Sequence, residues 1–121
     1  MVNMNLKEIQ TKYGIIYTRN ALMLSEVKLE CYPFTLVVDT SLSLAGCKPE
    51  VLNVPEVKVT FIFSDIDSLF IYKIDEYPYE KYSKSSFDVV DEVHKKGKQR
   101  IILSTYDHIF DVIGRYEIKY Y

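Results

Sequence analysis

The two histidines are candidates for chemistry, because imidazole is the side chain that most readily transfers protons or binds metals near neutral pH. A metal site or acid–base pair would need His94 or His108 beside a carboxylate or thiolate, and neither histidine has the spacing of a ligand motif. We expect His94 at a solvated helix end. His108 directly follows Asp107, but adjacent side chains of a strand point to opposite faces, so we expect no oriented Asp–His pair there. The dipeptide is predicted to belong to a turn.

Two nearby aspartates resemble part of a calcium site, but the rest of the motif is missing. Asp65-Ile66-Asp67 resembles the start of a calcium loop, but the third ligand, the glycine and the distant glutamate of that motif are missing. Aspartate side chains also bond to their own backbone in turns. We therefore predict that both aspartates cap a turn.

The two cysteines, Cys31 and Cys47, are too few for a disulfide framework and are not arranged as C-x-x-C. A reduced pair is the favoured interpretation, with one disulfide as the alternative. Cys31 follows apolar strand residues, which predicts a buried, inert thiol, whereas Cys47 lies in a predicted loop and should be the more exposed.

Charge argues against nucleic acid as a partner. The chain has 15 Lys and Arg against 17 Asp and Glu, a net charge of -2, whereas a phosphate backbone favours a strongly positive surface. The single basic run, residues 95–100, is close in sequence to Asp88, Asp91 and Glu92. We predict a solvated turn there.

Tyrosine is the unusual feature of the composition, with 11 tyrosines and no tryptophan. A tyrosine ring combines a large apolar area with a polar tip, which suits half-buried strands and protein contact surfaces. One cluster combines tyrosines with flanking carboxylates that would form a charged rim. We predict it as the partner-binding patch: Glu76, Tyr77, Tyr79, Glu80 and Tyr82.

Period-two alternation predicts most of the secondary structure. A half-buried strand is predicted from Leu22, with Val27, Leu29 and Cys31 on one face, and a second strand at 34–38 follows Pro33. Residues 57–63 and 69–74 are predicted to form a hairpin. Two more strands follow, one at 100–104 and a long terminal one with a bulge or bend at Gly114. Glycine and prolines predict a long loop from Asp39 to Glu56.

Two short helices are also predicted. Leu6, Ile9 and Tyr13 have helical spacing and precede Gly14, which can end a helix. A second amphipathic helix is expected from Ser85 as cap to Gly97 as stop. The fold class is thus α+β but β-rich: one domain, 1–121, with a mainly antiparallel sheet of about six strands and one or two helices, or a small two-sheet sandwich as the alternative. An N-terminus without a signal-like pattern and the lack of a long apolar stretch lead us to expect a cytoplasmic protein with no membrane partner.

Three segments carry a resemblance to known proteins: Tyr77-Pro78-Tyr79, residues 85–90 and residues 104–113. They resemble small bacterial proteins of similar length, some of which are similar to immunity proteins encoded beside secreted toxins. The resemblance covers the C-terminal half and implies a toxin-binding role, a cytoplasmic location and no cofactor. It assigns no functional residue. Immunity proteins often bind basic toxins through strongly acidic faces, and the net charge of -2 of this chain is only mildly acidic by comparison.

The favoured hypothesis is a non-catalytic protein-binding module, of which an immunity-type protein is one form. The alternative is a homo-oligomeric or small-ligand-holding domain, in which an unpaired strand such as 117–121 joins its copy. An enzyme using Asp107, His108 or Cys47 ranks last, because these residues alone do not define a site. No catalytic, metal or cofactor residue is assigned.

Overall fold

The computed structural model describes residues 6–73, 86–90 and 97–121. Within them the chain forms antiparallel strands and two 3-10 turns, Arg19–Ala21 and Leu44–Gly46. The strands are β1 (Leu6–Glu8), β2 (Gln10–Thr11), β3 (Gly14–Ile16), β4 (Leu22–Cys31), β5 (Phe34–Leu42), β6 (Cys47–Lys48), β7 (Val57–Lys73), β8 (Phe87–Val90), β9 (Gln99–Ser104) and β10 (His108–Tyr120).

Seven of these strands make one sheet in the order β1-β8-β9-β10-β7-β5-β4, and β2-β3-β6 make a smaller one. The two longest strands, β7 and β10, pair along nearly their whole length. β5 pairs with the first half of β7 and β9 with the first half of β10. The long β7–β10 ribbon therefore joins two staggered halves of the sheet, and the β-rich antiparallel architecture expected from the alternation is confirmed.

The ribbon bends at Gly114, as the sequence predicted. Ile113 pairs with Ser68 and Arg115 with Ser64, so three residues of β7 face Gly114 alone. A Cβ on Gly114 would lie 2.8 Å from the carbonyl oxygen of Ser64 and 3.1 Å from the Cα of Ile66. Glycine is needed here because the bulged backbone of β7 occupies the space that a side chain would take.

The core lies between the two halves of the sheet. Phe87 on β8 packs edge-on against Phe61 on β7 and Tyr116 on β10, with ring centroids 5.1 Å and 5.2 Å apart. β8 is not a neighbour of either strand in the sheet, so these contacts cross the interior. Within the described part of the chain these rings belong to an apolar cluster, which Ile16 and Cys47 of the small sheet also join.

The predicted N-terminal helix is wrong. Residues 6–16 form β1, β2 and β3, and the turn between β2 and β3 ends at Gly14 with φ at 99°. The positive φ expected of Gly14 is present, but in a strand-to-strand turn, with the carbonyl of Lys48 where a Cβ would be. Three apolar residues at helical spacing cannot offset the cost of nucleating so short a helix when sheet partners are available.

The second predicted helix is wrong where the structure describes it. Phe87–Val90 is the fully buried strand β8, hydrogen-bonded between β1 and β9. Phenylalanine and valine fit a pleated strand better than a helix, and four buried residues in succession indicate a strand covered on both faces. Residues 91–96 lie outside the described part of the chain.

Two further predictions need correction. The stretch 57–73 is one continuous strand and not a hairpin, because the turn-like Ser64–Asp67 segment is absorbed as the bulge opposite Gly114. The loop predicted from Asp39 to Glu56 is shorter, since β5 continues to Leu42 and β6 follows the second 3-10 turn. The polar residues of β5 can continue the strand because Thr40 lies in the buried row with Val38 and Leu42, and its hydroxyl donates to the carbonyl of Val59 at 2.8 Å.

Candidate functional site: the free edge of β4

β4 is the last strand of the seven-stranded sheet and pairs only with β5 within the described residues. At its start, the carbonyl of Leu22 accepts a hydrogen bond from the backbone N–H of Tyr106 at 2.8 Å. Beyond Leu22, the outer side of β4 has no strand neighbour in the described part of the chain. Unpaired N–H and C=O groups along such an edge form a template for another strand.

An exposed apolar row runs along the core-side face of this edge. Val27 pairs with Val38 and Leu29 with Leu36. Val38 and Leu36 are fully buried, yet Val27 is 37% and Leu29 52% exposed. The row therefore extends the core beyond the part of the sheet that is covered. We call it the edge row and define it as Val27, Leu29, Cys31 and Phe34.

Charged side chains alternate with the edge row on the opposite face. They are Glu26, Lys28 and Glu30, all exposed. The Lys28 ammonium lies 3.8 Å from a Glu26 carboxylate oxygen, with both side chains about 60% exposed. Such an ion pair contributes little to stability. These charges are therefore free to face a partner.

A bulge at Ser25 determines which part of β4 has this pattern. Leu24 pairs with Thr40 whereas Glu26 pairs with Asp39, so Ser25 is the extra residue. Apolar residues face the core at even positions before the bulge and at odd positions after it. The regular edge thus begins at Glu26 and ends at the Tyr32-Pro33 turn, where Tyr32 is 98% exposed.

Comparisons of the chain with protein-family models, curated proteins and solved structures give no match. Its function has to be argued from its own side chains. In the described ranges, no helix has the length and apolarity needed to span a membrane.

A second surface feature is an open groove of about 540 Å³ beside the β7 bulge. The Lys98 ammonium lies 2.6 Å from Asp67 and 3.6 Å from Asp65, and the Arg115 guanidinium lies 3.2 Å from Asp65. The hydrogen bond to Asp67 holds the pKa of Lys98 above its usual value. A calcium ion would have to displace both cations from these carboxylates. The two aspartates hold the bulge, where Asp65 has φ at 52°, and do not cap a hairpin turn.

The expected separation of Asp107 and His108 is wrong. The Nδ1 of His108 lies 2.9 Å from a carboxylate oxygen of Asp107. Asp107 is in the β9–β10 turn, so the opposite-face rule for strands does not apply to it. The turn prediction is confirmed for Asp107, whereas His108 is the first residue of β10; the Thr105 N–H donates to the His108 carbonyl at 2.8 Å and closes the turn. Among the described residues, no group of three His, Cys, Asp or Glu side chains could hold a metal ion.

The predicted exposures of the cysteines are reversed. Cys31 is exposed at the end of the edge row, and Cys47 is buried in the core. The sulfur of Cys47 lies 3.8 Å from the Ser43 carbonyl oxygen, and burial raises the pKa of its thiol. Both thiols are free. Position in an irregular segment did not expose Cys47, because β6 is part of the small sheet that covers the core.

The described part of the basic run is used for internal ion pairs. Lys98 binds the bulge carboxylates, and Arg100 makes two hydrogen bonds to Asp111, at 3.0 Å and 2.7 Å. The other basic residues of that run, Lys95 and Lys96, lie outside the described residues. So do His94 and the whole predicted partner-binding patch, Glu76, Tyr77, Tyr79, Glu80 and Tyr82.

The sequence pattern predicted β4 as a strand but did not identify its edge as a functional site. The alternation of Val27, Leu29 and Cys31 with charged residues correctly predicts a strand with two unlike faces. Strand order decides whether its apolar face is covered and its edge paired, and the terminal position of β4 in the sheet depends on pairings far apart in sequence. The strand predicted at 117–121 is the end of β10, which pairs with β7 up to Tyr120. Because β9 pairs only with residues 109–114, the other side of β10 beyond Gly114 also has no strand neighbour among the described residues.

Proposed function

We propose that this chain is a non-catalytic protein-binding module that binds another polypeptide along the free edge of β4. The observation that carries the proposal is the edge row: an apolar continuation of the core, on a strand whose outer edge has no strand neighbour in the described residues. Binding by strand addition uses main-chain hydrogen bonds for affinity and alternate side chains for specificity. β4 offers both.

Burial of the edge row supplies a driving force. Leu29 is about half exposed and Val27 somewhat less, so covering each would gain on the order of 1 kcal/mol, about half of the value for fully burying such a side chain. Tyr32 at the tip of the hairpin adds a nearly fully exposed ring, the residue type enriched in contact surfaces. The backbone edge then fixes the orientation of the partner chain.

The resemblance to immunity proteins supports a toxin as one form of partner. Recognition through a strand edge is consistent with a net charge of -2, because main-chain hydrogen bonds do not depend on a strongly acidic face. Within this proposal the cluster at 76–82 remains the predicted second contact.

The test is co-expression with the product of the neighbouring gene, followed by measurement of the complex. We expect the double variant Val27→Asn/Leu29→Asn to weaken the complex at least about tenfold, the effect of removing roughly 1.4 kcal/mol of apolar burial. Leu52→Asn is the matched control, since Leu52 is an equally exposed leucine outside β4. A complex that tolerates the β4 double variant but not Tyr77→Ala/Tyr79→Ala would refute the β4 assignment. Absence of association with any chain, including its own copy, would refute the function.

A further inference from the structure

The exposed part of β4 is complementary to itself. Its sequence from Glu26 reads as alternating charged and apolar residues, with Lys28 between two glutamates and Leu29 between Val27 and Cys31. We propose, resting on the protein-binding function above, that the partner of β4 is a second copy of this chain, paired antiparallel about a two-fold axis that passes through Leu29.

In this register the cross-strand pairs within residues 27–31 match. Lys28 of each copy lies opposite Glu30 of the other, so the axis creates two ion pairs on the charged face. Val27 of each copy lies opposite Cys31 of the other on the apolar face, and the two Leu29 side chains meet at the axis. Directly opposite side chains on paired strands have Cβ atoms roughly 5 Å apart, close enough for both kinds of contact.

Other two-fold registers are worse. An axis through Lys28 brings Lys28 against its copy and Glu26 against Glu30, which are like charges. An axis between residues sets apolar side chains opposite charged ones, because a one-residue shift exchanges the faces of a strand. An axis through Val27 keeps a Glu26–Lys28 pair, but it places Leu29 opposite Ser25, at the bulge where the regular edge ends.

The charges and the apolar residues together favour one arrangement of β4. Charged residues on an edge strand normally discourage edge-to-edge pairing. Here the lysine between two glutamates gives attractive pairs only for an axis through Val27 or Leu29, and of these two only the axis through Leu29 also joins the edge rows along residues 27–31. The dimer would thus continue the sheet of one copy into that of the other, with each edge row covering the other's exposed extension of the core.

The first experiment is sedimentation equilibrium of the full chain from about 10 μM to about 1 mM, a range that covers the weak affinity of a small strand-edge interface. We expect a concentration-dependent dimer. Lys28→Glu and Glu30→Lys each replace two attractive pairs by two repulsive ones, and each should weaken the dimer about tenfold. Both side chains are exposed, so thermal unfolding of the variants should match the wild type.

Mixing the two variants identifies the register. A Lys28→Glu chain paired with a Glu30→Lys chain has opposite charges at both cross-strand positions, so the mixture should regain the wild-type affinity as a heterodimer. An axis through Val27 predicts a different result, because residue 30 would then have no charged partner and Glu30→Lys would dimerise normally. That result would overturn the proposed register.

Disulfide capture is an independent measurement. Under mild oxidation, Val27→Cys should crosslink to the Cys31 of a second copy, and Leu29→Cys in a Cys31→Ser background should crosslink to itself. Val27→Cys in the Cys31→Ser background is the matched control and should remain uncrosslinked. Its efficient crosslinking would refute the axis at Leu29.

The two proposals fail in different ways. A strict monomer across the whole concentration range would overturn the second-copy inference and leave the protein-binding function to the co-expression test. A dimer that Lys28→Glu and Glu30→Lys leave intact would show that copies meet elsewhere, and would also overturn it.

Discussion

Replacing Gly114 by alanine tests the bend on which the curled sheet depends. The added Cβ would meet three backbone atoms of the β7 bulge: the carbonyl oxygen of Ser64 at 2.8 Å, the Cα of Ile66 at 3.1 Å and the carbonyl oxygen of Asp65 at 3.2 Å. Backbone atoms within a paired strand cannot turn aside as a flexible side chain can. The variant must therefore move the bulge or separate the two strands.

The expected magnitude is the difference of two effects. Overpacking by one methyl group costs about 1–3 kcal/mol, and three immobile neighbours place this site towards the upper end of that range. Replacing glycine by alanine also reduces the entropy of the unfolded chain, which stabilises the fold by about 0.4–1 kcal/mol. Gly114→Ala should thus lower the free energy of unfolding by about 1–2 kcal/mol.

Urea denaturation followed by circular dichroism measures this effect. With an m value of about 1–3 kcal/mol per molar, the midpoint should fall by roughly 1 M urea. Gly97→Asn is the matched control: Gly97 has φ at 76° with no atom within 4 Å of a Cβ, and asparagine tolerates that conformation. We expect the control to change stability by no more than about 0.5 kcal/mol. A Gly114→Ala protein as stable as the wild type would refute the close approach of β10 to the bulge.

Three further predictions concern Phe87, Asp111 and the two cysteines. Phe87→Leu removes two edge-on ring contacts across the core and should cost about 1–3 kcal/mol in a urea titration, whereas an unaffected midpoint would show that the two halves of the sheet do not meet at Phe87. Asp111→Asn weakens the pair of hydrogen bonds from Arg100 and should cost about 1–3 kcal/mol at neutral pH, checked in the same way. A thiol reagent should modify Cys31 quickly and Cys47 only on unfolding. Burial raises the pKa of the Cys47 thiol, so the folded protein holds this proton more tightly than the unfolded chain does. The contribution of the buried thiol to the free energy of unfolding is therefore fully present below the ordinary thiol pKa of about 8.5 and should decline as the pH rises above it. We expect this decline in the wild type but not in Cys47→Ala.

The sequence predicted strands where alternation was long and missed them where it was short. The second half of β10 and the first half of β7 alternate apolar and polar residues, and β9 contains a β-branched run, so all three could be predicted as strands. β1, β2 and β3 have two or three residues each, too few to show a period, and their strand character comes from partners distant in the chain. Short apolar runs of this kind are ambiguous between helix and strand until those partners are known.

The bulge opposite Gly114 shows how one signal can be right on one strand and wrong on its partner. Glycine within an alternating run correctly predicted a bend in β10. On β7 the polar Ser64–Asp67 segment predicts a hairpin turn, because serine and aspartate side chains hydrogen-bond their own backbone in turns. Only the pairing of β7 with β10 on both sides of the bulge separates these alternatives, and that pairing is long-range.

The alternating sequence of β4 predicts an apolar face but does not say which chain covers that face. An amphipathic strand has the same sequence pattern whether its apolar face is covered by its own chain or by another. In this fold Leu36 and Val38 of β5 belong to the buried core cluster, whereas Leu29, one strand further out, is half exposed. The boundary of the core therefore falls between β5 and β4, and the residues just beyond it carry both the apolar row and the self-complementary charges. An interface is expected where a strand has the pattern of a core strand but none of the described residues covers its apolar face.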